Sequence, residues 1–371
     1  MTETGKFLQM KRTLIIVLLF LLIPTLLFST PQPSDSSEAV SKAIALFESK
    51  KANEARSFFL AEWETNPESD IAAYYLGRIA FDHGETDDAI DWLQKAVDLN
   101  EGNANYHMWL GRAVGIKAQH ASIFKKPFLA KRTKKHFDQA GALAPDNVEA
   151  RFELVRYYVL APGIMGGSSE KAFAEAEEIR KRNSEEGYMA FGFIYEKDQK
   201  DISKAIENYE AGIAENPLSG KLHFALGRLY TQQGEAVKAL ETCRKVIDTI
   251  PDQAVHAYYW MGAIHLGQKE YEKAFANFAN VLRLDSTNIG VYYQIGKAAA
   301  ESGKNLDRGE SCLKRFMNHE SLDAKSLAWS HFRLGTIYEW KKEPDRARQE
   351  YHAALAIDGD HKESKKALKN L

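Results

Sequence analysis

Residues 224–251 read FALGRLYTQQGEAVKALETCRKVIDTIP. Gly227 interrupts one apolar stretch, Gly234 follows it, Ala239 sits in a second stretch, and Pro251 closes the segment. The opening glycine recurs in YYLGR (Gly77), MWLGR (Gly111), MAFGF (Gly192), YWMGA (Gly262), YYQIGK (Gly296) and FRLGT (Gly335). The intervals from Gly77 to Gly335 are 34, 81, 35, 35, 34 and 39 residues, so the period is close to 34 and the longest gap holds two periods plus an insertion. A period of this length marks one helix–turn–helix unit repeated along an axis. Glycine on the first helix and alanine on the second let two backbones come close. Gly84, Gly234 and Gly303 suit a turn with positive φ. Proline ends the second helix because it cannot continue the i to i−4 hydrogen bonding.

These residues resemble the tetratricopeptide repeat (TPR) family. Its alanine slot holds Ala55, Ala89, Ala205, Ala239, Ala274 and Ala347. The aromatic slot holds Phe59, Tyr209, Phe278 and Tyr351, with Leu93 and Cys243 as departures, and the proline slot holds Pro67, Pro145, Pro217 and Pro251. The resemblance implies an all-α TPR superhelical solenoid over residues 36–371. Its units are expected at 36–69, 70–103, 104–147, 148–184, 185–219, 220–254, 255–288, 289–327 and 328–360, with a polar capping helix at 361–371. The insertions described below make the chain similar to bacterial exported or membrane-anchored TPR proteins of unsettled function.

The composition of the 371-residue chain, 44% hydrophobic and 27% charged, is that of an ordinary globular protein. A formal net charge of −2 argues against a general polyanion binder. The start of the chain departs from this balance. Residues 13–28, TLIIVLLFLLIPTLLF, carry no charge and follow Lys6, Lys11 and Arg12. This is the pattern of an export signal or N-terminal membrane anchor over 1–30, with a short linker at 31–35. Sixteen residues rise about 24 Å, just under a bilayer's hydrocarbon core. Phe28-Ser29-Thr30-Pro31 makes a poor cleavage junction, so cleaved signal and retained anchor both stay open. Either one places the rest of the chain outside the cytoplasm, in the periplasm of a Gram-negative cell, anchored at the inner membrane or released.

Two adjacent units break the pattern. The third is about ten residues too long. From Arg112 to Phe137 it carries Arg112, Lys117, Lys125, Lys126, Lys131, Arg132, Lys134 and Lys135 with no acidic residue, leaving −10 for the remainder. The segment extends the turn and the start of the second helix, and a solvated helix face with an elongated loop would explain it, as would contact with an anionic membrane surface, a polysaccharide or an acidic protein. No nucleic-acid partner is expected. The fourth unit contains APGIMGGSSEKA at 161–172. It lacks the Gly-Lys-Ser/Thr of a phosphate loop and reads as a structural connection in which Ser168 or Ser169 caps the next helix.

In the family architecture, positions five and nine of the first helix line the inner groove. Position five holds Tyr74, Met108, Phe152, Met189, Phe224, Tyr259, Tyr293 and Phe332, and position nine holds Arg78, Arg112, Arg156, Phe193, Arg228, Ala263, Lys297 and Thr336. Offsets of four put the two rows side by side on one helix face. An aromatic and Met surface edged by arginine suits an extended, partly acidic peptide; the alternative is that position five is partly core and arginine is simply tolerated at position nine. The candidate groove is therefore Tyr74, Arg78, Met108, Arg112, Phe152, Arg156, Phe224 and Arg228. The family's carboxylate clamp, with Lys and Asn at these positions of one unit, is not matched. No catalytic, cofactor or metal residues stand out: HExxH, CxxC and GxSxG are all missing from the sequence. Cys243 and Cys312 fall two units apart, beyond disulfide reach, and read as small buried hydrophobes. His107, His223 and His331 occupy a packing slot. The expected function is a non-catalytic scaffold for envelope assembly, with membrane-surface or anionic-polysaccharide binding through 112–137 as the alternative.

Overall fold

The computed structural model describes residues 33–319 and 322–371. The apolar segment 13–28 lies outside them. The described residues form nineteen α-helices and no strand. In chain order these are α1 (Pro33–Glu48), α2 (Ala52–Thr65), α3 (Asp70–Asp82), α4 (Thr86–Leu99), α5 (Ala104–His120), α6 (Lys126–Leu143), α7 (Val148–Leu160), α8 (Ser169–Arg182), α9 (Ser184–Ile194) and α10 (Ile202–Glu215). They continue as α11 (Gly220–Gln232), α12 (Ala236–Thr249), α13 (Ala254–Gly267), α14 (Tyr271–Leu284), α15 (Ile289–Ser302), α16 (Leu306–Met317), α17 (Ala324–Trp340), α18 (Pro344–Ile357) and α19 (Lys362–Asn370). None is long and apolar enough to cross a membrane.

The described residues divide into two compact units that part between Tyr75 and Leu76. In the first, α1 and α2 close around Ala43, Ala55 and Phe59. The Phe59 ring stacks on Tyr75 with centroids 4.9 Å apart. The first described helix, α1, starts at Pro33, within the segment 31–35. Proline fits the first helical turn, where its missing N–H would have no partner anyway.

The second unit is an all-α solenoid of helical hairpins, and the close approach of glycine to a bulky side chain is its repeated joint. A Cβ added at Gly111 would lie 2.5 Å from the Phe137 ring, at Gly192 2.2 Å from Tyr209, at Gly262 2.4 Å from Phe278 and at Gly335 2.6 Å from Tyr351. Leu93 and Leu313 fill the same role against Gly77 and Gly296. Burying each ring contributes roughly 1.5–3 kcal/mol. Where Cys243 replaces the aromatic, Gly227 has nothing nearer than 3.8 Å. Cys243 and Cys312 are free and buried, and burial pushes the Cys243 thiol up to about 12.

Helix starts follow from local chemistry. Asn103, Asn147, Ser168, Asn183, Asp201, Ser219, Asn288 and Asp323 each accept a backbone N–H of the first turn through the side chain. Asp323 starts α17 at Ala324, ahead of the boundary expected at 328. The polar cap α19 starts on His361, whose Nδ1 accepts the Ser364 N–H at 3.2 Å.

In the long third hairpin the second helix is extended as expected, and the first is lengthened too: α5 runs 17 residues and α6 runs 18, against 13 in α7 and α11. After Gly115, the residues up to His120 include no strong helix breaker. Pro127 sits in the first turn of α6, where it is tolerated. Both helices therefore overshoot their neighbours by about one turn.

Candidate partner-binding site

The overshoot creates a cavity of about 680 Å³ among α5, α6 and α7. Its walls are mostly apolar: Phe81, Trp109, Ile116, Ala130, Phe137, Leu160, Pro162 and Met165. Arg112, Lys126, Glu153, Arg156, Gln119 and Thr133 supply the polar groups. The volume lies within the range of pockets that enclose a small ligand or a large side chain. Gly115 forms part of the wall, and a Cβ there would meet nothing closer than the Thr133 methyl at 3.5 Å.

One side of the cavity is an ion-pair network. Arg112 Nη2 lies 2.7 Å from Glu153 Oε1 and 2.8 Å from Glu149 Oε1. Burial lowers the affinity of Arg112 for its proton, but the two carboxylates more than compensate, and the guanidinium titrates above its ordinary range. Trp109 receives two guanidiniums, with Arg78 3.4 Å and Arg112 4.3 Å from its ring centroid. Arg156 is more loosely held, 4.0 Å from Glu153 and half exposed.

The loop 161–168 closes one end. Gly166 has φ +96°, and a Cβ at Gly167 would collide with the Ala161 carbonyl at 1.8 Å, so glycine is required at both positions. The Tyr157 hydroxyl donates to the Met165 carbonyl. Ser168 caps α8 by accepting from the Lys171 N–H at 3.3 Å.

Of the groove residues expected from sequence, Arg112 and Arg156 line this cavity, and Arg78 stacks on its Trp109. Phe152 lies beside them, 5.2 Å below Arg156 and 6.2 Å from Phe193. Tyr74 belongs to the first unit, packed edge-on against Tyr75. Met108 is 2% exposed and joins Ala140 and Ala150 in the core, so it offers no surface. Phe224 and Arg228 lie apart from the cavity. Phe224 packs near His256, and Arg228 is bound to buried Glu196 at 2.5 Å. Elsewhere position five packs against the second-helix aromatic, as in Tyr293–Phe316 and Phe332–Tyr351.

The basic stretch divides in two. Lys117 pairs with Asp87 at 2.6 Å, Lys134 with Asp138 at 2.6 Å, and Arg132 donates to Gln94 at 2.9 Å. Lys125, Lys126, Lys131 and Lys135 make no ion pair with a described residue, and all but Lys126 are exposed. Trp109, Glu153 and Leu160 escaped the sequence reading. Trp109 and Glu153 are one residue after positions five of their helices, so the register held a signal for them.

A second, smaller cavity of about 390 Å³ borders His107 and His136. His107 Nε2 is 3.0 Å from the Glu101 carbonyl and must donate to it. Its Nδ1 lies 3.1 Å from His136 Nδ1, so the two rings share one N–H···N hydrogen bond. Burial, then His107, Arg132 and Lys135, hold the His136 pKa down at about 4, with Asp98 opposing. Between pH 6.5 and 4 the unfolded chain therefore binds more protons at this site than the folded one. Stability should be full above about pH 6.5 and fall as pH drops toward 4. Urea midpoints across that window should flatten in His136→Asn, which keeps a donor and cannot titrate; an unchanged slope would remove His136 as the cause.

Profiles of the family described as tetratricopeptide repeat match residues 40–104, 197–261 and 255–288. These segments carry tetratricopeptide repeats. The helical hairpins with their glycine joints are thus TPR units, and TPR folds bind protein or peptide partners. Among curated relatives, the Drosophila melanogaster BBSome complex member BBS4 homolog is 21% identical over 64% of this chain and 48% of its own length. The human protein O-mannosyl-transferase TMTC3 is 23% identical over 72% of this chain and 29% of its own. The chain thus spans less than half the length of either relative. Among solved structures, YrrB, a TPR protein with an unusual peptide-binding site, is 17% identical, covers 54% of this chain and all of its own, and superposes with a TM-score of 0.42. The human IFIT1 dimer with m7Gppp-AAAA is 18% identical, covers 88% of this chain and 72% of its own, and gives 0.45.

Proposed function

We propose that the chain is a non-catalytic TPR scaffold that receives a partner polypeptide at the cavity of the third and fourth repeats. The observation carrying this reading is the Trp109 cavity, with apolar walls and the cations Arg112, Lys126 and Arg156 at its border. An apolar side chain fills the cavity while acidic neighbours meet Lys126 and Arg156. The uncharged run at 13–28 behind Lys11 and Arg12 supports export or membrane anchoring, with assembly of an envelope complex as the setting.

The test is affinity purification of the full chain from its native cell, in parallel with Gly115→Leu, which fills the cavity. Partners should fall at least about tenfold, the discrimination expected when one buried anchor is excluded, while the melting profile stays near the parent's. An identical partner set from both proteins would overturn the site. Digestion of residues 33–371 by protease added to spheroplasts, with a cytoplasmic protein left intact, would support export, and protection until the inner membrane is lysed would exclude it.

A second reading is contact with an anionic surface through 112–137. It rests on the four lysines left without an ion pair, Lys125, Lys126, Lys131 and Lys135.

A further inference from the structure

Among the described residues, the two most exposed large apolar side chains are Ile164, 93% exposed, and Phe124, 91%. They stand on two different loops, one from the inserted segment of the third repeat and one from the glycine-rich segment of the fourth. Ile123, Phe128 and Leu160 on the same segments are also well exposed. The loops meet at the same cavity: Lys126 lines it together with Leu160 and Met165, and the Lys134 side chain approaches Gly166 within 3.8 Å of where its Cβ would be.

Neither loop is positioned by accident of slack chain. The Tyr157–Met165 hydrogen bond, the left-handed Gly166 and the packing of Gly167 on Ala161 fix the second loop. The first is closed by hydrogen bonds from the Lys125 and Lys126 N–H groups to the Ser122 carbonyl, at 2.9 and 3.0 Å. Both hold their apolar side chains outward. Around them the charge is mainly of one sign. No acidic residue occurs between Arg112 and Phe137 or between Tyr157 and Ser169; Asp138 and Glu153 beyond them are held by Lys134 and Arg112, and Glu170 is the one carboxylate that directly borders the second loop.

We infer that these two loops form a tip that inserts into the interfacial layer of an anionic bilayer. Ile164, Phe124 and their neighbours would enter the acyl boundary, and Lys125, Lys126, Lys131 and Lys135 would contact the headgroups. The inference rests on the second reading above and adds the apolar loops to it. Apolar side chains ringed by cations are the complement of an anionic membrane surface. A polysaccharide would reward the lysines and leave the isoleucines and phenylalanines in water. Lysine also suits this setting, since its flexible stem lies along apolar surface while the ammonium reaches the headgroup.

The experiment uses the full chain carrying Gly163→Cys labelled with an environment-sensitive nitrobenzoxadiazole group. Gly163 has open space around it, and the native Cys243 and Cys312 are buried. Vesicles of phosphatidylglycerol with phosphatidylcholine should blue-shift the label and make it quenchable by lipids bearing a shallow spin label; phosphatidylcholine alone should not. Replacing Lys125, Lys126, Lys131 and Lys135 by Gln should weaken the shift about fivefold per lysine at low salt. The reporter at residue 163 separates tip insertion from any vesicle binding through residues 13–28. Lysine-dependent binding without a blue shift would overturn the inserted tip and leave the anionic-surface reading standing. A label that stays in water, with binding indifferent to the lysines, would overturn both. A shift equal on neutral vesicles, or one produced only by a protein partner, would also overturn the inference.

Discussion

Gly192→Val is expected to destabilise the fifth hairpin by about 3 kcal/mol, the upper end of ordinary over-packing. A Cβ at this position falls 2.2 Å from Tyr209 Cζ and 2.4 Å from its hydroxyl oxygen. The ring has nowhere to go. It is 2% exposed, its hydroxyl donates to Glu196 at 2.9 Å, and Glu196 is itself bound to Arg228 at 2.5 Å. Relief must come from parting α9 and α10, which would also break that hydrogen-bonded chain. The matched control is Gly227→Ala, where the nearest atom is 3.8 Å away. There the better helix propensity should leave stability unchanged or raise it by up to about 1 kcal/mol. Urea unfolding gives the total, and amide hydrogen exchange should place the loss at α9, α10 and their immediate neighbours, since each repeat contacts mainly the next. Equal midpoints for Gly192→Val and the parent would show that the close glycine contact is not what joins the hairpins.

That joint was legible in the sequence because it obeys a period. Gly192 and Tyr209, or Gly262 and Phe278, sit 17 and 16 residues apart inside one unit, so a residue pattern alone specifies which backbones must approach. Turns were partly legible for the same reason. Gly84, Gly234 and Gly303 do take positive φ, but Lys269 and Lys342 adopt it as well at equivalent turns, where the side chains gave no sign of it. What the period could not convey is contact between units. The arginines at position nine read as one exposed row, yet Arg112 and Arg228 spend their charge on Glu153 and Glu196 of neighbouring repeats, while Arg156 remains half exposed. Burial of Glu153 depends on how far α7 slides along α5, which no single unit encodes. Within the third unit, the His107–His136 pair joins two slots that appear unrelated in sequence. Likewise, the exposure of Ile164 follows from a loop folded by Gly166 and Gly167, and a lone isoleucine in a glycine-rich stretch carries no mark of it.

Arg112→Leu should cost about 3–5 kcal/mol, the range for removing one member of a buried pair. The two carboxylates it leaves behind differ sharply. Glu149 is 58% exposed and can turn to water, whereas the Glu153 side chain is 7% exposed and cannot. Arg156, 4.0 Å away, offers partial compensation, which places the expected loss toward the lower end. Adding Glu153→Leu removes the stranded charge and should recover most of the loss, because a well-packed apolar pair often matches a buried ion pair. The coupling between the two substitutions, read from a double-mutant cycle of urea midpoints, should therefore be about 2 kcal/mol or more. A coupling near zero would mean that Glu153 finds another partner when Arg112 is gone. The double variant also separates fold from recognition at the cavity. It keeps the walls apolar and removes one positive and one negative charge, so its net charge matches the parent's. If partner capture survives in it, recognition is carried by Trp109, Lys126 and Arg156, and the Arg112–Glu153 bridge serves only to hold α5 against α7.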